Sequence, residues 1–262
     1  MNRIEEKFKT LKKYNQKAFI AFITAGYPDL NTTYQLVLEF TKVGVDIVEL
    51  GVPFSDPIAD GPIIQEASQF ALRKKVNLKL ILQLVKKLRQ KTQIPLCLMT
   101  YYNPVFCFGQ RRFLKEAKSC GVDGLIIPDL PLEEAEGFIL SAHKYNLKVI
   151  SFVSVTTEFN RLKRILKIAE GFIYYISLTG VTGPRQKLPK ELTKHLRLIK
   201  RLTKKPVCVG FGISKNKQVR KIYQFADGVI VGSAIIKKIK ENLGKSDLVR
   251  KTVEFISELK NV

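Results

Sequence analysis

Val45-Asp46-Ile47-Val48-Glu49-Leu50-Gly51-Val52-Pro53-Phe54-Ser55-Asp56-Pro57-Ile58-Ala59-Asp60-Gly61-Pro62 runs from an apolar stretch through a Pro-rich loop to a proline that opens a helical pattern. Read as strand, loop and helix, it brings Glu49 to the strand's carboxyl end and Asp60 to the point just before the helix. The same unit recurs along the chain. Strand candidates fall at 19–24, 46–51, 95–101, 123–127, 148–154, 172–177, 206–211 and 226–231. Between them lie amphipathic helical patterns near 30–43, 62–75, 78–91, 109–119, 132–146, 157–169, 189–202 and 214–224, with 233–243 and 247–260 at the end. Near-continuous apolar strands separated by helices predict a parallel sheet covered by helices, and eight such units predict closure into a single (β/α)8 TIM barrel of the α/β class. An extra N-terminal helix, roughly residues 2–14, is expected to cover the barrel's bottom. The runner-up, an open doubly wound sheet, lacks its Gly-rich dinucleotide turn: the first turn reads Thr24-Ala25-Gly26-Tyr27-Pro28-Asp29.

Composition bounds the rest. The 262 residues fit one barrel domain over 1–262, without linker or low-complexity segment. No window offers the roughly 18 apolar residues of a membrane span, and the start, Met1-Asn2-Arg3-Ile4-Glu5-Glu6-Lys7, lacks a signal peptide's apolar core, so the expectation is a soluble, unsecreted protein. Cys97, Cys107, Cys120 and Cys208 are dispersed and read as free thiols in a reducing compartment. Forty-five Lys+Arg against 23 Asp+Glu give a net charge of +22. The basic residues sit on helical stretches such as Arg161-Leu162-Lys163-Arg164 and Lys237-Lys238-Ile239-Lys240, so they read as solvated outer faces and no nucleic-acid partner is expected.

In a barrel the chemistry lies at the carboxyl ends of the strands, here Glu49, Asp60, Tyr101, Asp129, Tyr174, Phe211 and the late glycines. Gly210-Phe211-Gly212-Ile213-Ser214 and Val231-Gly232-Ser233-Ala234-Ile235 place glycines and a hydroxyl where helices begin, an arrangement suited to a phosphate held by backbone N–H groups and Ser233. Gly180-Val181-Thr182-Gly183-Pro184 adds a flexible edge. Phe22, Ile64, Tyr101, Ile126, Tyr174 and Phe211 fall near the upper strand ends; singly, each reads as core packing. A Schiff-base lysine at an upper strand end is missing, since Lys148 lies at the lower end of its strand. The only histidines, His143 and His195, fall on outer helices, so no metal is expected.

The segment Glu49–Pro62 resembles the second strand and loop of the tryptophan synthase alpha subunit family. Phe22-Ile23-Thr24-Ala25-Gly26-Tyr27-Pro28, Met99-Thr100-Tyr101-Tyr102-Asn103-Pro104, Pro128-Asp129-Leu130-Pro131, Gly180-Val181-Thr182-Gly183 and Gly210-Phe211-Gly212-Ile213-Ser214 resemble it in the same order. The resemblance implies a lyase that cleaves indole-3-glycerol phosphate to indole and glyceraldehyde 3-phosphate. It assigns Glu49 to proton shuttling and Asp60 to the ring N–H. It makes Phe22, Ile64, Tyr101, Ile126, Tyr174 and Phe211 the indole pocket, and places Asp129, Thr182, Gly183, Gly212, Gly232 and Ser233 on the substrate. The Pro53–Asp60 loop would face the partner, while residues 178–190 close over the substrate and Thr182 hydrogen-bonds Asp60. The partner implied is a beta subunit in an alpha2beta2 assembly that carries pyridoxal phosphate; this chain would need no cofactor. Arg185, Lys187 and Lys190 in the closing loop suggest an acidic partner face. The compartment expected is the cytoplasm, or the plastid stroma for a chain synthesised inside the organelle. Two other readings stay open: another phosphosugar-handling barrel such as an isomerase, and a noncatalytic anion- or RNA-binding protein.

Overall fold

A computed structural model describes residues 1–176, 190–210 and 212–261. Its strands are β1 (Ala18–Thr24), β2 (Ile47–Gly51), β3 (Leu96–Met99), β4 (Gly124–Ile126), β5 (Lys148–Val149), β6 (Ser151–Ser154), β7 (Ile173–Ile176), β8 (Val207–Gly210) and β9 (Gly228–Val231). They pair in the order β5-β4-β3-β2-β1-β9-β8-β7-β6, every pair parallel. β5 and β6 are two pieces of the one strand expected over 148–154, interrupted at Ile150. The first piece pairs with Gly124 and Leu125 of β4, the second with Ile173–Ile176 of β7. The two ends of the order therefore lie on one continuous run of chain, and the sheet is a nearly closed eight-unit barrel with its fifth strand split between two neighbours.

Around it lie α1 (Arg3–Lys13), α2 (Leu30–Lys42), α3 (Pro62–Arg73), α4 (Leu78–Arg89), α5 (Tyr102–Phe108) and α6 (Gln110–Cys120). The series continues with α7 (Leu132–Lys144), α8 (Phe159–Ile168), α9 (Lys190–Leu202), α10 (Asn216–Tyr223), α11 (Ser233–Glu241) and α12 (Leu248–Lys260). α5 corrects the sequence reading, which carries the third strand on to 101. The strand stops at Met99 because the Asp129 carboxylate, in the loop after the next strand, accepts the Tyr102 N–H at 2.9 and 3.1 Å and starts a helix there. Pro104 falls in that helix's first turn, where its missing N–H is no loss.

Alternation along each strand divides the core. Ile20 and Ile47, with Cys97, Ile126, Cys208 and Ile230, form an inner cluster. Phe19, Ala21 and Ile23, with Val48 and Leu50, join the cluster between sheet and helices. α1 drives Ile4, Phe8 and Leu11 into the inner cluster, and so plugs the lower end as expected. Its start is fixed by a capping box in which Asn2 takes the Ile4 N–H while Glu5 reaches back to the Asn2 N–H.

Three aspartates at strand starts organise that lower end. Asp46 accepts the Phe19 N–H at 2.8 Å, Asp123 the Leu96 N–H at 2.9 Å and Asp227 the Val207 N–H at 2.8 Å, each a bond to the neighbouring strand. Each also holds a cation: Lys7 at 3.4 Å on Asp46, Arg3 at 3.0 Å and Arg89 at 2.6 Å on Asp123, Lys200 at 2.5 Å on Asp227. Asp123→Ala removes the acid paired with the half-buried Arg89 guanidinium, which keeps only its carbonyl acceptors, and leaves the Leu96 N–H without its partner. The expected loss is about 3–5 kcal/mol, read as a lower urea midpoint of unfolding at unchanged slope.

Candidate active site

Glu49 is the third residue of β2, level with Phe22 of β1 and Cys97 of β3. The alternation that sends Ile47 inward sends Glu49 inward too, one level higher. Its side chain is wholly buried, and neither carboxyl oxygen has a hydrogen-bond partner among the described residues. Burial alone pushes its pKa from 4.5 up to about 8. At neutral pH Glu49 therefore holds a proton.

Asp60 reaches the same region from the loop between β2 and α3. That loop is tied down by side chains: Ser68 exchanges hydrogen bonds with the Phe54 N–H and C=O at 2.9 and 3.2 Å. Gln65 donates to the Asp60 C=O at 2.9 Å, and the Tyr101 hydroxyl accepts the Ala59 N–H at 3.0 Å. Tyr101 also stacks on Phe54, ring centroids 5.2 Å apart. Burial raises the Asp60 pKa to about 6, against a hydrogen bond from Tyr101 that lowers it. Burial raises the Tyr174 phenol as well, with smaller contributions from the charges of Glu49 and Asp60.

Phe22, Ile64, Tyr101 and Asp60 line one small cavity of about 10 Å³ with Thr24, Gly51, Val52, Ser68 and Met99. A Cβ on Gly51 would stand 2.6 Å from the Phe22 ring, and one on Gly232 would stand 3.1 Å from it, so glycine at both positions gives this aromatic wall its place. Ile126 lies below, fully buried in the inner cluster, and Tyr174 packs on Phe152 at 4.9 Å between centroids. Asp129 is engaged with the Tyr102 N–H and so acts on the site through the chain that carries Tyr101. A separate apolar cavity of about 340 Å³ between α7 and α8 includes neither carboxyl.

On the opposite rim α11 begins at Ser233 with Gly232 before it and no side-chain cap, leaving first-turn N–H groups without an intrahelical partner. Gly212 has φ +71°. The Ser214 N–H, in the turn expected to offer free amides to an anion, is instead taken by Gln218 Oε1 at 2.9 Å, which also accepts the Lys215 N–H at 3.0 Å. The start of α11, at Gly232 and Ser233, is thus the uncapped helix terminus on this rim. Thr182, Gly183 and Phe211 fall outside the described residues, as does most of the loop 178–190 with Arg185 and Lys187. Among the described residues no cluster of three His, Cys, Asp or Glu could hold a metal, and no helix is long and apolar enough to cross a membrane. The sequence reading passed over Thr24, Gly51, Ser68 and Met99; Thr24 was legible as two residues beyond Phe22 on the same strand, hence on its face.

The Glu49 shift carries a stability consequence. Because its folded-state pKa lies above the unfolded value of 4.5, the stability it leaves intact is fully present below about pH 4.5 and is lost as the pH rises through about 8. Glu49→Gln is expected to flatten the fall in unfolding free energy between pH 5 and pH 8, a difference on the order of a few kcal/mol at about 1.4 per pH unit.

Comparison with known proteins fits this geometry. The profile of the family described as "Tryptophan synthase alpha chain" matches residues 8–262. A tryptophan synthase alpha chain of Thermoanaerobacter pseudethanolicus is 46% identical over 262 residues, covering 100% of both chains. One of Alkaliphilus metalliredigens is 47% identical, over 99% of this chain and 97% of its own. The crystal structure of tryptophan synthase subunit alpha from Legionella pneumophila superposes with a TM-score of 0.92 at 36% identity, covering 99% and 97%. A chain from a study of the tryptophan synthase a2b2 complex of Pyrococcus furiosus gives 0.88 at 39% identity, over 94% and 98%.

Proposed function

The chain belongs to the tryptophan synthase alpha chain family, and from that premise we propose how its residues carry the family's reaction. It is a lyase that cleaves indole-3-glycerol phosphate to indole and glyceraldehyde 3-phosphate in tryptophan biosynthesis. The observation that carries the assignment of roles is the pair of carboxyls with unequal pKa values. Glu49 at about 8 and Asp60 at about 6 leave, between those limits, a protonated acid beside an ionised carboxylate.

Glu49 delivers its proton to C3 of the indole ring, while the Asp60 carboxylate accepts a hydrogen bond from the ring N–H and stabilises the positive charge that forms there. The Glu49 carboxylate then removes the proton from the hydroxyl on the adjoining chain carbon. The bond from C3 to that carbon breaks, its electrons restore the indole, and the carbon leaves as an aldehyde. Glu49 is protonated again at the end, so no further acid or base is required. The phosphate sits at Gly232 and Ser233 with Gly212 beside them. Thr182, Gly183 and Phe211 keep the substrate contacts that the resemblance implies.

An indole ring needs far more room than the about 10 Å³ between Phe22 and Asp60. We infer that the loop from Pro53 to Gly61 moves as substrate enters, and that the hydrogen bonds from Tyr101, Ser68 and Gln65 hold it in the position seen before substrate binds.

The chain works with a tryptophan synthase beta chain in an alpha2beta2 assembly. Ile58, 81 % exposed on that loop, and Phe106, 68 % exposed on α5, supply apolar surface near the substrate entrance for this contact. Pyridoxal phosphate belongs to the beta partner in this scheme, and the alpha chain itself uses none. Residues 1–262 are read as one barrel domain, and the cytoplasm as its compartment, in keeping with the bacterial relatives.

Indole release from indole-3-glycerol phosphate, measured with the beta chain present, is expected to give a bell-shaped kcat/KM profile with limbs near pH 6 and 8. Glu49→Gln and Asp60→Asn should each lower kcat by at least about a hundredfold, a size in line with loss of a positioned acid or base. Turnover persisting in Glu49→Gln would reject the assignment. Ser233→Ala should raise KM several-fold with kcat nearly unchanged.

A further inference from the structure

Thr24 ends β1, 2 % exposed, and its hydroxyl has no hydrogen-bond partner among the described residues. A buried, unpaired hydroxyl is destabilising, and valine would fill the same volume without that penalty. Thr24 lines the same cavity as Asp60. The other polar side chains there are already engaged: the Ser68 hydroxyl both accepts from and donates to Phe54, and the Tyr101 hydroxyl accepts the Ala59 N–H while bonding Asp60. Phe22, Ile64 and Met99 are apolar. The acceptor with capacity left is the Asp60 carboxylate, which offers about four lone-pair sites. The gap that the two groups border, about 10 Å³, has room for about one water-sized group.

We propose that Thr24 positions Asp60: when the loop carrying Asp60 closes on substrate, Thr24 Oγ1 donates a hydrogen bond to the carboxylate alongside the Tyr101 phenol. This rests on the role given to Asp60 above. Two donors fix the carboxylate's orientation toward the ring N–H, and both favour its ionised form against the burial that raises it. The titratable groups around Asp60 are Tyr101 beyond β3, Tyr174 on β7 and Glu49 on β2; Glu66 of α3 turns outward to Lys240 at 2.6 Å. No cation among them would mask the loss of one hydroxyl.

The test measures indole release by the chain with its beta partner for Thr24→Val, Thr24→Ser and Asp60→Asn, with thermal unfolding beside it. Thr24→Val is expected to lower kcat about tenfold at little change in KM, the size of one hydrogen bond to a charged group. Its acid limb should move up by about one pH unit, and its melting temperature should match or exceed the parent's. Thr24→Ser should recover activity to within about threefold, because the hydroxyl returns. Parent-like turnover in Thr24→Val, an unmoved acid limb, or no recovery in Thr24→Ser would overturn the proposal. Should Thr24→Val not fold, Thr24→Ala carries the same expectations for kcat and the acid limb, at a lower melting temperature because it leaves a void. Full activity in Asp60→Asn would remove the role of Asp60 and this proposal with it. An inactive Asp60→Asn beside a parent-like Thr24→Val would remove only the role of Thr24.

Discussion

Closing a parallel sheet into a ring sends alternate residues of every strand into one enclosed space, and each level of that space has to be filled. Here the lowest level is filled from outside the sheet, by Ile4, Phe8 and Leu11 of α1 against Ile20, Ile47 and Phe172. Without that plug these faces would meet water, and the loss for a single buried aromatic or aliphatic anchor is typically about 2–5 kcal/mol. The aspartates at the strand starts hold the same end in register, since each ties an N–H near the start of a neighbouring strand and a cation together. With the floor fixed, the level above can hold a group that stabilises nothing.

Glu49 is that group. A carboxyl without partners in an apolar interior is a net cost to folding, and the well-packed layer beneath it supplies the rigidity that keeps it there. Its immediate neighbours in register, Phe22 and Cys97, offer at most a weak S–H donor, so nothing draws out the proton. Asp60 differs in depth and origin: it arrives on a loop, keeps a hydrogen bond from Tyr101, and is raised less far. One fold thus presents two carboxyls of the same chemistry in different protonation states, and the difference is set by how much of each is removed from water.

The strands were legible because both faces of each are buried and the apolar runs are nearly continuous; the helices followed from their periodicity. What escaped depends on residues far apart in sequence. α5 starts where Asp129, 27 residues on, captures the Tyr102 N–H, and no local pattern announces it. The fifth strand divides at Ile150 because its two halves bond different neighbours. The strand-start aspartates did carry a signal, in Val45-Asp46-Ile47, Val122-Asp123-Gly124 and Ala226-Asp227-Gly228, each an acid at an apolar run's first residue. The place of Glu49 on a strand and of Asp60 in the loop before a helix was readable from the sequence. Thr24 stood in plain view within a strand, but the property that matters, a hydroxyl left without a partner among the described residues, exists only once the chain has folded. The same holds for Gln218, whose capture of the Ser214 N–H removes an amide from the turn that its glycines mark for an anion.

The net charge of +22 raises a question that the site has to answer, because a positive field favours ionised carboxylates and would lower the pKa of Glu49. The outcome turns on distance. Exposed charges are screened within about 8–10 Å at physiological salt, and the lysines of α8 and α11 stand on the far side of the helices from the barrel interior. Several are further occupied with surface partners: Lys163 lies 4.3 Å from the Phe159 ring centre, and Lys240 pairs with Glu66. Burial is then the sole influence resolved on Glu49. A cation at an inward position on the upper level would reverse the balance and leave Glu49 ionised, with no proton to give. The single lysine in a described strand, Lys148, is held at the opposite end of the barrel, 2.9 Å from Glu5 of α1. The plug that seals the floor therefore also engages the one cation in the described strands that could have competed for the proton on Glu49.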